Sequence, residues 1–263
     1  MTPDRELLAV AGEAVDLGAR WLAGADAAWA RTRHKPSGEE VTDADVEIER
    51  RIAEFLRRRT PGVPVVGEEG FAGGPLPDRC WLLDPVDGTM NFTRGAPLYG
   101  ISLAYAEDGV PRLGVVDAPA LGRRWTAGGG SADGRAAEAP EAVRELSRAV
   151  VGLTGTGAGD PRARALLALL YDEAYRLRLQ GSMSLDLVGV AEGWIDACLC
   201  IGPKPWDVAA GVPLVRDRGL AVLGGDGADY GFGSPVLAAG SHAVARELLA
   251  RWDEAGRGLT AVR

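Results

Sequence analysis

Trp81-Leu82-Leu83-Asp84-Pro85-Val86-Asp87-Gly88-Thr89-Met90-Asn91-Phe92 opens as an apolar run suited to a buried strand and ends on two carboxylates, then glycine and threonine. Pro85 fixes its own φ and holds Asp84 extended, so the spacing predicts that the chain leaves the strand at Asp84. Gly88 suits a tight turn into a short helix, with Thr89 as its capping hydroxyl and backbone N–H groups turned towards an anion. Two acidic side chains this close repel unless a cation lies between them, so the stretch suits a phosphate held against divalent metal ions. Taken alone, it also suits an Asp-Pro-x-Asp-Gly surface turn.

Two further acidic stations frame this stretch. Val63-Pro64-Val65-Val66 reads as a short strand arriving at Gly67-Glu68-Glu69-Gly70, and Lys204-Pro205-Trp206-Asp207 places an acid where a helix should begin. On its own, Asp207 reads most simply as a helix N-cap. An amphipathic helix is expected from about Pro3 to Ala30 and a second from Thr42 or Asp43 to Arg59, separated by a polar loop. Tyr99 to Ala106, Arg112 to Asp117 and Arg123 to Ala127 read as an antiparallel meander.

The second half alternates: strand 148–153, helix 160–171, strand 174–178, helix 183–192, strand 195–200, helix 207–217, strands 220–223 and 236–239, and helix 241–254. That rhythm predicts an α/β fold with helices on a mixed sheet. Two lobes are expected, 1–145 with most of the acidic stations and 146–263 with Asp207, the strand-end carboxylates lying in the cleft between them.

The 263 residues can bury a substantial core, and no run approaches the roughly 18 apolar residues of a membrane helix. A net charge of -8 argues against nucleic acid as the main partner, although metal ions can reverse the local sign for a small phosphate. Cys80, Cys198 and Cys200 have neither metal-ligand spacing nor a disulfide pattern and read as buried, reduced thiols. The first residues carry no secretion signal, so the expected location is cytoplasmic, with no membrane partner.

Taken together, Gly67-Glu68-Glu69, Asp84-Pro85-Val86-Asp87-Gly88-Thr89-x-Asn91-Phe92 and Trp206-Asp207-x-x-Ala210-Gly211 resemble the signature of the inositol monophosphatase family in order and interval, over nearly the whole chain. The resemblance implies a layered αβαβα sandwich of the inositol monophosphatase and fructose bisphosphatase type. It also implies hydrolysis of a small-molecule phosphate monoester by metal-activated water. Glu68, Asp84, the Val86 carbonyl, Asp87 and Asp207 are then ligands of two or three Mg²⁺ ions.

Thr89 and Asp45 match the pair that orients and deprotonates the water, working beside Glu68; Asp45 equally suits the acidic first turn of a helix. The resemblance places Gly88 and Thr89 on the phosphate, with Lys35 and Lys204 as basic residues near the substrate and Glu69 orienting ligands or waters from behind. Gly181-Ser182-Met183-Ser184-Leu185-Asp186 resembles a family element at the substrate hydroxyls, where Ser182 equally suits a helix cap and Asp186 a buried structural hydrogen bond.

One departure bears on the substrate. Cys200 stands where relatives acting on inositol carry a glutamate for the ring hydroxyls. Histidinol phosphate and fructose bisphosphate are the alternative substrates that the resemblance implies, and a non-catalytic binding homologue is the alternative class. A homodimer is the expected assembly.

Overall fold

A computed structural model of the chain describes residues 3–24, 32–34, 40–128, 142–155 and 160–260. Contacts divide it into two compact units, residues 1–134 with 205–214, and residues 135–204 with 215–263. The segment carrying Asp207 thus groups with the first half of the chain, because its backbone packs on strands of that half.

In the first unit, helix α1 (Pro3–Gly24) precedes the short strands β1 (Thr32–His34) and β2 (Glu40–Thr42), which pair antiparallel, and helix α2 (Asp43–Arg59). A five-stranded sheet then runs β3-β4-β5-β6-β7, built from Val65–Gly67, Arg79–Asp87, Gly100–Glu107, Val110–Ala118 and Arg123–Ala127. The first pair is parallel and the rest form the expected antiparallel meander. Helix period and strand alternation meet in one core. Val10, Ala14, Ile48, Ile52 and Leu56 pack on Trp81, Leu83, Ile101, Leu103 and Val115. Residues 25–30 of the expected first helix lie outside the described residues, as does Lys35.

β4 does not end at Asp84. It continues through Pro85 to Asp87, and its pairing with β5 jumps from Asp84 opposite Ser102 to Asp87 opposite Gly100. Proline has no N–H for the ladder, so it interrupts the pairing without ending the extended chain. Gly88, at φ 90°, then turns the chain into helix α3 (Thr89–Thr93). The cap position belongs to Gly88, so Thr89 is the first helical residue and its hydroxyl is committed elsewhere.

The second unit holds a mixed sheet ordered β11-β12-β10-β8-β9, from Ala221–Gly224, Val236–Gly240, Ala197–Ile201, Val150–Thr154 and Arg176–Arg178. Helices α4 (Pro161–Glu173) and α8 (His242–Thr260) cover one core through Leu166, Leu170, Val244, Leu248 and Trp252. Helix α5 (Met183–Glu192) is buried almost throughout. The expected helix 207–217 is broken into α6 (Pro205–Val208) and α7 (Gly211–Arg216). Pro213 lacks the N–H that would reach back to Ala209, and Gly211 weakens the helix at the same place.

All three cysteines are buried and none forms a disulfide, as expected. Among the described residues no helix is long and apolar enough to cross a membrane.

In the first unit one close approach fixes the segment after α6. A Cβ on Gly114 of β6 would lie 2.6 Å from the Ala210 Cα, so sheet and segment touch main chain to main chain. Gly114→Ala is therefore expected to lower stability by about 1–3 kcal/mol. A urea midpoint equal to that of the parent chain would show that the two backbones separate freely.

Candidate metal centre

Strand register brings the acidic stations together. β3 and β4 run parallel with Val65, Val66 and Gly67 beside Trp81, Leu82 and Leu83. The Glu68 N–H extends this pairing, donating to the Leu83 carbonyl at 3.1 Å, and the next step of the register sets Glu68 beside Asp84. Asp84 in turn lies opposite Ser102 of β5, whose buried hydroxyl donates to the Trp206 carbonyl at 3.0 Å and so holds the turn bearing Asp207. Phe71 closes the arrangement by an edge-on contact with the Trp206 ring, centroids 5.5 Å apart. As a result, carboxylate oxygens of Glu68, Asp84 and Asp207 all lie within 4.8 Å of one another.

Three carboxylates at that spacing form a donor set for a hard cation, which takes oxygen ligands and leaves positions for waters or phosphate. Without a cation, burial, followed by the charges of Glu68, Asp87, Asp207 and Asp45, pushes the Asp84 carboxyl well above the ordinary aspartate range. Asp84 is held in place meanwhile, its Oδ1 accepting from the Val86 N–H at 3.0 Å. The Val86 carbonyl oxygen lies 2.9 Å from the Thr89 hydroxyl, which shares its one proton between this oxygen and Asp45, and the carbonyl's second lone pair keeps a further ligand position.

The second group at the centre begins on α2. Thr42 caps this helix in a reciprocal box: the Ala44 N–H donates to the Thr42 hydroxyl, and Asp45 Oδ2 accepts from both the Thr42 N–H at 2.8 Å and its hydroxyl at 2.5 Å. Asp45 Oδ1 remains for the Thr89 hydroxyl, 3.1 Å away. The first-turn acid and the partner of Thr89 are thus one residue. Asp45 is 1% exposed, and desolvation, with the nearby charge of Glu69, raises its pKa against the lowering effect of these hydrogen bonds.

The remaining expected residues fall as follows. Glu69, whose N–H donates to Glu49, stands close enough for its charge to act on Asp45. In the second unit, the buried Ser182 caps α5, its Oγ accepting from the Leu185 N–H at 3.2 Å, and Lys204 is exposed. Asp186 accepts from Thr154 and from Gln180, the buried structural role expected of it. Ser102, Phe71 and Glu49 escaped the sequence reading. The available signal was Ser102, a lone hydroxyl inside the apolar run Gly100-Ile101-Ser102-Leu103.

Comparison with known proteins agrees with this geometry. The family model described as the inositol monophosphatase family matches residues 1–256. A histidinol-phosphatase from Mycobacterium tuberculosis is 38% identical over 212 residues, 78% of this chain and 81% of that protein. A probable inositol 1-monophosphatase, ImpA, from the same organism is 39% identical over 199 residues, 72% of each. Among solved structures, an IMPase from Thermotoga maritima matches 94% of this chain and 96% of its own, with TM-score 0.81 and 28% identity.

The raised Asp84 pKa carries a stability consequence. The folded state holds a proton that the unfolded chain gives up, so metal-free stability falls as pH rises from the ordinary aspartate range through the folded-state pKa. Asp84→Asn keeps the acceptor for Val86 and removes the charge. At pH 8 in chelator it should unfold at a higher urea concentration than the parent. A variant no more stable than the parent under those conditions would refute the repulsion.

Proposed function

The chain belongs to the inositol monophosphatase family, and on that premise we propose that Glu68, Asp84, the Val86 carbonyl, Asp87 and Asp207 hold two or three Mg²⁺ ions. The protein is a hydrolase of phosphate monoesters, and its substrates are small molecules. The convergence of Glu68, Asp84 and Asp207 beside the hydrogen-bonded Thr89–Asp45 pair is the observation that carries the reading.

Bound Mg²⁺ supplies positive charge for the phosphate oxygens and for the alcohol oxygen as it leaves. The protein's own groups do the rest. Thr89 orients the attacking water by accepting its hydrogen bond, while the Thr89 hydroxyl donates to Asp45 Oδ1, so a proton leaving the water ends on Asp45. Both Thr42 donors engage Oδ2, which keeps Oδ1 directed at Thr89. An acid whose pKa is raised by burial is the better proton acceptor. The first N–H groups of α3 have no acceptor within their own helix and suit the phosphate oxygens beside Gly88 and Thr89.

The leaving alcohol is small and polar, and inositol is disfavoured. Cys200 is fully buried in β10, and its thiol stands at the position where the resemblance expects a glutamate for the ring hydroxyls. The histidinol-phosphatase relative makes an amino-alcohol phosphate the first compound to try. Ser182, Lys204 and Lys35 are assigned to substrate binding and Glu69 to orienting the centre. The reading extends to a cytoplasmic homodimer, and the three reduced cysteines fit that compartment.

Phosphate release with Mg²⁺ over cyclitol, sugar, amino-alcohol and nucleotide phosphates tests both parts. Thr89→Ala should lower kcat about 10²–10⁴-fold, the range for loss of positioned proton transfer. Asp84→Asn and Asp207→Asn should abolish turnover in folded protein. Undiminished turnover in Asp84→Asn would reject the assignment, and inositol phosphate as the best substrate would reject the role given to Cys200.

A further inference from the structure

Glu49 lies one helical turn beyond Asp45, so α2 presents both carboxylates on one face. Asp45 reaches Thr89. Glu49 reaches a different part of the centre, the turn after β3. One of its carboxylate oxygens accepts from the Glu69 N–H at 2.8 Å. The same carboxylate fills the space over two glycines of that turn: a Cβ on Gly67 would overlap it, and one on Gly70 would come within 2.8 Å of it. The absence of side chains at Gly67 and Gly70 is what lets the carboxylate approach the backbone there. Glu68 is the residue between Gly67 and the N–H that Glu49 holds.

We propose that Glu49 is a positioning residue for the metal centre, clamping the Gly67–Gly70 turn so that Glu68 faces Asp84 and Asp207. The role needs an acceptor oxygen of the right reach. Beyond the turn, Phe71 abuts Trp206, so a turn released from Glu49 also loosens the packing beside Asp207. Groups that orient metal ligands from behind are worth 10–100-fold in metal affinity when removed. The proposal rests on the reading of Glu68 as a Mg²⁺ ligand.

The test is Mg²⁺ titration of the full chain by calorimetry, with far-UV circular dichroism and the metal-free melting temperature recorded for each protein. Glu49→Ala is expected to raise the Mg²⁺ Kd about 10–100-fold. Glu49→Gln, which keeps an acceptor oxygen, recovers most of the affinity. Gly67→Ala leaves Glu49 chemically intact but displaces its carboxylate, and shows the same loss as Glu49→Ala.

A merely structural role would lower the melting temperature and leave Kd unmoved, and that result overturns the proposal. If Glu49→Ala does not fold, Gly67→Ala decides, and parental affinity in that variant overturns it. If the parent chain binds no Mg²⁺, the metal reading itself fails. A parent that binds, with Glu49→Ala binding equally well, removes only the clamp.

Discussion

Mutual repulsion among clustered carboxylates, around the buried Asp84, is the constraint on which the first unit depends. Asp84 is 3% exposed and feels the charges of Glu68, Asp87, Asp207 and Asp45. Gathering so much negative charge in one place opposes folding unless a cation accompanies it. Much of the surrounding structure supplies fixed backbone geometry to hold the acids together: the β3–β4 register, the hydrogen bond from Ser102 to Trp206, and the Asx-type contact from Val86 to Asp84. The centre is assembled against its own electrostatics, and the work falls on strand pairing and main-chain contacts.

The Thr89–Asp45 hydrogen bond is set up differently. Asp45 and Thr42 form a helix start of an ordinary kind, and one spare carboxylate oxygen is aimed at Thr89. A single carboxylate thereby caps the helix with one oxygen and meets the Thr89 hydroxyl with the other. This is why sequence left Asp45 evenly divided between helix acid and catalytic partner. The helix-start role leaves Oδ1 in contact with Thr89.

Much of the architecture was legible because periodicity carries it. The apolar run at Trp81, the meander from Tyr99 to Ala127 and the alternation after residue 148 each follow from spacing, and the elements appear close to where spacing puts them. The acidic stations were legible because strands ending in carboxylates are uncommon enough to notice. What sequence missed depends on contacts between distant segments. Ser102 looks like one polar residue in a strand until its register opposite Asp84 is known, and Glu49 looks like one more surface acid among the arginines of α2. Proline within the run suggests a stop at Asp84, whereas it removes only a ladder hydrogen bond and the strand continues to Asp87. The break in the helix after Asp207 was missed, although Gly211 and Pro213 were in view.

The contact of Gly114 with Ala210 bears on how such a scaffold can diversify. Gly114 has no side chain to trim and no room for one, so the spacing between β6 and the stretch following Asp207 is set by main-chain contact. A different side-chain environment around the acids must then come from parts of the chain that do not meet main chain to main chain.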